Sequence, residues 1–116
     1  MKRTLCLLVI FFSSQYAVAE EIGCPKGTTP NGETTPAVSE AWCEDSNHEM
    51  HGPYRAWWPN EKLGNEGQYD HGAAIGKWRA WYESGELQGE EWFENGQKTK
   101  GRYYDKQGHE IPKPKP

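Results

Sequence analysis

Aliphatic residues are scarce in this sequence once its first 19 residues are set aside. Residues 20–116 hold only six Leu, Ile and Val, against six Trp, five Tyr and one Phe. This scarcity excludes a compact core of aliphatic side chains, so the chain must bury rings, each of which removes a large area from water. A membrane-spanning helix needs about 20 consecutive apolar residues, and no apolar run in this part of the chain comes near that length.

Positive charge is scarce as well. Residues 20–116 contain 11 Lys and Arg against 17 Asp and Glu, which gives a net charge of −6. Nucleic-acid-binding proteins carry a basic footprint, and anionic lipid attracts basic segments. The charge balance therefore disfavours nucleic acid as a partner and simple adsorption to a membrane.

The N-terminus has the pattern of a signal peptide. Lys2 and Arg3 precede an apolar run from Leu5 to Phe12, and small residues follow, ending in Ala17-Val18-Ala19. Small side chains at this spacing are what a signal peptidase accepts, so we predict cleavage after Ala19 and export to a periplasm or to the outside of the cell. The apolar run is too short to serve as an uncleaved anchor.

Two cysteines remain after the predicted cleavage, Cys24 and Cys43. In an exported chain an even pair indicates a disulfide, and no Cys-x-x-Cys spacing supports a redox or metal pair. Closing this loop would stabilise the fold by roughly 3 kcal/mol. Residues 20–50 are rich in Gly, Pro and Thr, which predicts a loop-rich cap stapled by the disulfide, with one short strand near residues 41–43.

Residues 51–108 contain an internal repeat. The stretch 51–60 (HGPYRAWWPN) aligns with 75–84 (IGKWRAWYES) at an offset of 24, and a shorter third copy begins at Lys100. Each copy divides into two strands, with turns predicted at 59–62, 70–72, 83–86, 94–97 and 105–108. The turn at 94–97 contains Asn95-Gly96, and Asn-Gly is a strong hairpin signal. The ten glycines of this region disfavour helix. The predicted fold is all-β, a single-layer antiparallel meander of about five strands in this array, with an extended Pro/Lys tail at 109–116.

Alternation along these strands predicts two different faces. One face receives Trp78, Ala80 and Tyr82, and in the first copy Tyr54, Ala56 and Trp58, and we expect this face to be the packed one. The other face receives Arg79 and Trp81, and in the first copy Arg55 and Trp57. Tryptophan beside arginine is typical of contact surfaces, although arginine can also simply cover the rings within the sheet. The candidate binding residues on this second face are Arg55, Trp57, Arg79, Trp81 and Trp92.

The repeated motif resembles the bacterial variant of the MORN (membrane occupation and recognition nexus) repeat. The matching segments are Gly76-Lys77-Trp78-x-x-Trp81-Tyr82-Glu83-x-Gly85-Glu86-Leu87 and Glu91-x-Phe93-x-Asn95-Gly96-Gln97, and 51–57 has the same opening. Cys24-Pro25-x-Gly27-Thr28 is similar to a cap that precedes such arrays in exported proteins. The resemblance implies consecutive hairpins that serve protein–protein contact or, in some members, lipid association. It implies no catalytic residues.

Motifs for chemistry are sparse. The serines of residues 20–116 have no nucleophile setting, and the adjacent Glu90 and Glu91 would need a deep cleft to work as a catalytic pair. His48 and His51 are weak metal candidates because no third ligand follows from their spacing, so we predict neither a metal nor a cofactor.

The sequence thus predicts an exported, non-enzymatic module that binds a protein partner. Binding to cell-wall glycan or to a lipid surface is the alternative, and a purely structural role is a further one. Dimerisation of two chains could close an open end of the sheet.

Overall fold

The computed structural model describes residues 22–113, all of which lie in strands, turns or short connections. The predicted signal peptide, residues 1–19, and the last three residues of the predicted tail lie outside the described residues. The eight strands, in chain order, are β1 (Thr29–Thr34), β2 (Ser39–Glu44), β3 (Met50–Trp57), β4 (Leu63–Asp70), β5 (Ala73–Trp81), β6 (Leu87–Glu94), β7 (Gln97–Tyr104) and β8 (Glu110–Ile111). Between residues 22 and 113, no helix is long and apolar enough to cross a membrane.

The strands form one antiparallel sheet whose spatial order is the chain order, β1 to β8. Every neighbouring pair is an antiparallel hairpin. The predicted all-β, single-layer meander is therefore confirmed, and β3 to β7 supply the five strands expected in the repeat array. A meander places every second turn at the same end of the sheet, which brings together residues about 20 to 26 positions apart.

Two regions are more regular than predicted. Residues 29–34, which we expect to be loop, form β1 and pair with β2 along their whole length. Glu110 and Ile111, in the predicted unpaired tail, pair with Tyr104 and Tyr103. In both places the edge of a neighbouring strand offers backbone donors and acceptors. Pairing with this edge satisfies the backbone N–H and C=O groups of the segment, whatever its side-chain pattern.

The turns are of two lengths. Residues 71–72 and 95–96 form two-residue turns with positive φ at both positions, at 43° and 90° and at 48° and 81°. The longer turns place one residue with positive φ before the return strand, and this position holds Glu61 in the first repeat (φ 69°) and Gly85 in the second (φ 108°). The predicted turn positions at 59–62, 70–72, 83–86, 94–97 and 105–108 are all confirmed.

The 24-residue offset has a structural basis in hydrogen bonds between equivalent turns. Trp58 donates from Nε1 to the carbonyl oxygen of Trp81 over 3.0 Å. Tyr82, its equivalent in the next repeat, donates from its hydroxyl to the carbonyl oxygen of Tyr104 over 2.7 Å. In each repeat, an aromatic side chain therefore donates a hydrogen bond to a backbone carbonyl oxygen next to the equivalent turn of the following repeat.

Burial is confined to small clusters on both faces because a single layer has no interior. Ile22, Ala41 and Cys43 form one buried cluster, and Cys24, which is disulfide-bonded to Cys43 with a Cα–Cα distance of 5.6 Å, packs against it. This predicted disulfide is confirmed. It fastens the residues before β1 against one face of the sheet.

Candidate functional site

The five predicted binding residues lie on one face of the sheet, which we name the charged face. Arg55 stands opposite Glu66, which stands opposite Arg79, which in turn stands opposite Glu90. Arg102 continues the row on β7. Since directly opposite residues of antiparallel strands share a face, arginine and glutamate alternate across five neighbouring strands. This row is the ladder of the charged face.

Two ion pairs lie within the ladder. The Nε atom of Arg55 lies 3.7 Å from Glu66 Oε2, and that of Arg79 lies 3.0 Å from Glu90 Oε2. The hydrogen bond from Arg79 holds the pKa of Glu90 below its usual value, against the opposing effect of burial, and Lys77 at 3.4 Å adds to it. The Arg55 and Arg79 side chains are still 40% and 42% exposed. They are thus held in position and remain accessible from solvent.

Three tryptophans flank the ladder, and each has a different environment. Trp57 packs against the buried cluster of Ile22, Ala41 and Cys43 and so contributes to the fold. Trp92 lies under two lysines, with Lys100 Nζ 4.3 Å and Lys77 Nζ 5.5 Å from its ring. The cations over Trp92 are therefore lysines, whereas the predicted alternative was that arginines cover the rings. Trp81 is half-buried at the end of β5.

The opposite face, which we name the aromatic face, carries a row of contacting rings. The Trp78 ring centroid lies 5.5 Å from that of Tyr54, 5.0 Å from that of Tyr69 and 6.1 Å from that of Phe93. Gly67 lies beneath the indole, and a Cβ atom there would come within 2.0 Å of Trp78 Cδ2. Tyr54 and Ala56 are buried on this face, as predicted for the packed side, while Trp78 and Phe93 stay half exposed.

A groove of about 470 Å³ opens on the aromatic face between β5, β6 and β7. Its walls include Trp78, Phe93 and Tyr103, and its floor is formed by Ala80 and Gly89, which stand opposite each other in the sheet. Tyr103 donates its hydroxyl to Glu91 in the same groove. Burial raises the pKa of Glu91, but hydrogen bonds from Tyr103 and Lys98 outweigh burial and leave that pKa lowered.

The adjacent carboxylates Glu90 and Glu91 do not face each other. Glu90 pairs with Arg79 on the charged face, and Glu91 accepts from Tyr103 on the aromatic face. Neighbouring residues of a strand point to opposite sides of the sheet. These two acids therefore cannot flank one substrate bond, which is the arrangement that two-carboxylate hydrolysis requires.

A group of histidines lies at one end of the sheet, where the β2–β3 and β4–β5 turns meet. The rings of His51 and His71 stack with centroids 4.0 Å apart, and Asp70 lies beside both. We name His51, Asp70 and His71 the histidine cluster. His48 does not join it, because its side chain is 89% exposed and lies 3.5 Å from Glu44. Of the two weak metal candidates, His51 thus belongs to the cluster and His48 does not.

Sequence reasoning missed Asp70 and His71 as neighbours of His51. The turn at 70–72 and the loop before β3 each follow from the sequence, but no local signal in either segment indicates the other. The signal that would have joined them is the meander itself, since every second turn lies at the same end of the sheet. His71 Nδ1 lies 2.7 Å from Asp45 Oδ2, and this contact raises the pKa of His71, with burial opposing it.

Comparisons with known proteins give a distant structural similarity. No protein-family model matches the chain, and no curated protein matches it. A chain in a solved structure, the Glycosylation Associate Protein (Gap123) complex from Streptococcus agalactiae, is similar at 15% sequence identity and a TM-score of 0.43. The match covers 79% of this chain and 17% of that chain, so this protein spans less than a fifth of the length of the chain it matches. A likeness this distant carries no argument about function.

Proposed function

We propose that this chain is an exported, non-enzymatic repeat protein of the MORN type that binds a protein partner through its charged face. The observation that carries the proposal is the ladder of alternating Arg and Glu, flanked by Trp81 and Trp92. Arg and Trp are enriched among the residues that dominate protein–protein binding energy. Side chains that ion pairs already hold in place lose less conformational entropy when a partner binds.

The mixed charge of the ladder supports a protein as the partner. A protein surface can present acids to Arg55 and Arg79 and bases to Glu66 and Glu90, which gives both attraction and register. A phosphate backbone presents one sign only, and the two glutamates would repel it. Contact with anionic lipid is opposed in the same way and by the net charge of −6 of residues 20–116.

The test is recovery of partners from an envelope extract with a charged-face variant and a matched control. Arg79→Gln/Trp81→Ala alters the charged face without touching the buried cluster that Trp57 supports. Lys98→Gln/Lys113→Gln changes two residues on the aromatic face. We expect the first variant to lose at least about tenfold in affinity for a partner that wild type and control retain, since truncating a central contact costs at least about 1.4 kcal/mol. Equal recovery by all three would reject the charged face as the binding surface.

A second candidate is the binding of cell-wall glycan, and the groove on the aromatic face favours it. Sites for small ligands combine apolar ring walls with a few polar groups, and here Trp78, Phe93 and Tyr103 accompany Glu91. Soluble wall fragments should then quench tryptophan fluorescence in a saturable manner. Tyr103→Leu should abolish the quenching, and Trp81→Ala on the opposite face should leave it intact. An unchanged spectrum at saturating fragment would reject glycan binding in this groove.

A further inference from the structure

The histidine cluster places three metal-binding side chains around one point. One ligand atom from each of His51, Asp70 and His71 lies within 4.8 Å of the other two. Asp70 Oδ1 is 3.6 Å from His51 Nδ1 and 3.9 Å from His71 Nε2. Two ligands on a tetrahedral zinc ion stand about 3.3 Å apart, given bonds of about 2.0–2.1 Å. The two imidazoles are stacked with an interplanar angle of 18°, so the His51 ring must turn before both rings can direct a nitrogen at one ion.

Asp45 holds His71 in the orientation that metal binding requires. Its Oδ2 lies 2.7 Å from His71 Nδ1, so the imidazole donates its proton there and keeps its lone pair on Nε2, which lies 3.9 Å from Asp70 Oδ1. Asp45 is itself fixed, because its Oδ1 accepts from the backbone N–H groups of Asn47 and Glu49, and its side chain is only 9% exposed. A carboxylate behind a ligating histidine is the usual outer-shell arrangement of zinc sites. The contact is independent of the three-ligand geometry and points to the same ion.

His51 is tied to the same turn through the backbone. Its Nδ1 accepts a hydrogen bond of 3.1 Å from the backbone N–H of His71, which adopts a positive φ of 43°. The turn therefore places the ring of His51 beside Asp70. Coordination through Nδ1 would displace this hydrogen bond, so the His71 amide reports on occupation of the site.

We propose that His51, Asp70 and His71 bind a divalent zinc-class ion, with Asp45 as the positioning residue. Two imidazoles and one carboxylate suit Zn²⁺, and Cu²⁺ and Ni²⁺ bind such donors as well, whereas Mg²⁺ prefers an all-oxygen shell. Three protein ligands leave a fourth position for water or for a side chain of a bound partner. The site lies at one end of the sheet and depends neither on the charged face nor on the groove.

Calorimetry tests the proposal on the disulfide-bonded protein after metal is removed with EDTA. Titration with ZnCl₂ should give one ion per chain, and MgCl₂ should give no heat. Asp70→Asn, at a side chain that is 54% exposed, should weaken zinc binding at least about tenfold because the amide is a poor ligand. Asp45→Asn should weaken it by about 10- to 100-fold, the usual effect of losing an outer-shell partner.

His48→Ala is the matched control, because this histidine lies outside the cluster and should leave the zinc affinity unchanged. In a ¹H–¹⁵N spectrum, one equivalent of zinc should shift the amide of His71. Absence of heat with wild type would overturn the proposal. Equal zinc affinity in wild type, Asp70→Asn and His71→Ala would also overturn it, since the ion would then be bound elsewhere. Circular dichroism of each variant separates lost binding from lost folding.

Discussion

Replacing Gly67 by alanine tests how the sheet seats its central ring. An added Cβ would stand 2.0 Å from Trp78 Cδ2, 2.2 Å from Cε2 and 2.5 Å from Cε3, with the rigid indole as the obstacle. The indole must move off the sheet and lose its contacts with Tyr54, Tyr69 and Phe93.

The expected loss of stability follows from these contacts. Each aromatic pair contributes about 0.5–1.5 kcal/mol beyond buried area, and overpacking costs about 1–3 kcal/mol. We expect Gly67→Ala to lower the free energy of unfolding by about 3 kcal/mol, a large share of the about 5–15 kcal/mol typical of a domain. Urea unfolding followed by tryptophan fluorescence measures this change.

Gly64→Ala is the graded control. Its added Cβ would lie 3.0 Å from Trp58 Nε1, so that ring needs to give only a few tenths of an ångström, and we expect a cost of about 1 kcal/mol. If Gly67→Ala were no more destabilising than Gly64→Ala, the seating of Trp78 on Gly67 would be refuted.

Three further predictions concern the disulfide, the turns and the ladder. Reduction of the disulfide should lower the free energy of unfolding by about 3 kcal/mol in the same urea assay, and an unchanged midpoint would contradict its role in holding the cap. Glu61→Gly should raise the free energy of unfolding by about 0.5–1 kcal/mol because it relieves a positive φ. Gly85→Ala at the equivalent turn should lower it by at least about 1 kcal/mol, and changes of the same sign in both variants would contradict the turn geometry. The Arg79 hydrogen bond lowers the pKa of Glu90 in the folded protein. The pair therefore stabilises the fold above pH 4.5, the ordinary glutamate pKa, and this contribution is lost as the pH falls from 4.5 through the lowered pKa of Glu90. Glu90→Gln should flatten the pH dependence of the melting temperature between about pH 5 and 3, and an unaltered slope would count against the pair.

The repeat array could be predicted from sequence because its signals are local. Turn residues such as Asn95-Gly96 and the alternation along 77–82 fix where strands end and which face each side chain takes. The same alternation places Arg79 and Trp81 together on one face. This alternation along each strand is why the side of each candidate binding residue was predictable.

Other features depend on partners that are distant in sequence. Residues 29–34 lack the alternating pattern of a strand and become one because β2 offers them an unpaired edge. The groove exists because Ala80 and Gly89, nine residues apart, meet opposite each other and leave space between rings. His51 and His71 meet because two turns share an end of the sheet. A short window of sequence contains no signal that predicts any of these contacts.

Cross-linking mass spectrometry in the native host, with an amine-reactive reagent, tests the proposed charged face most directly. Lys77 and Lys100 lie over Trp92 on the charged face, whereas Lys98 and Lys113 line the aromatic face beside Glu91. We predict that peptides of one protein partner become attached to Lys77 and Lys100 and that Arg79→Gln/Trp81→Ala removes them. Partner peptides attached mainly to Lys98 and Lys113, or attached equally in that variant, would contradict binding through the charged face.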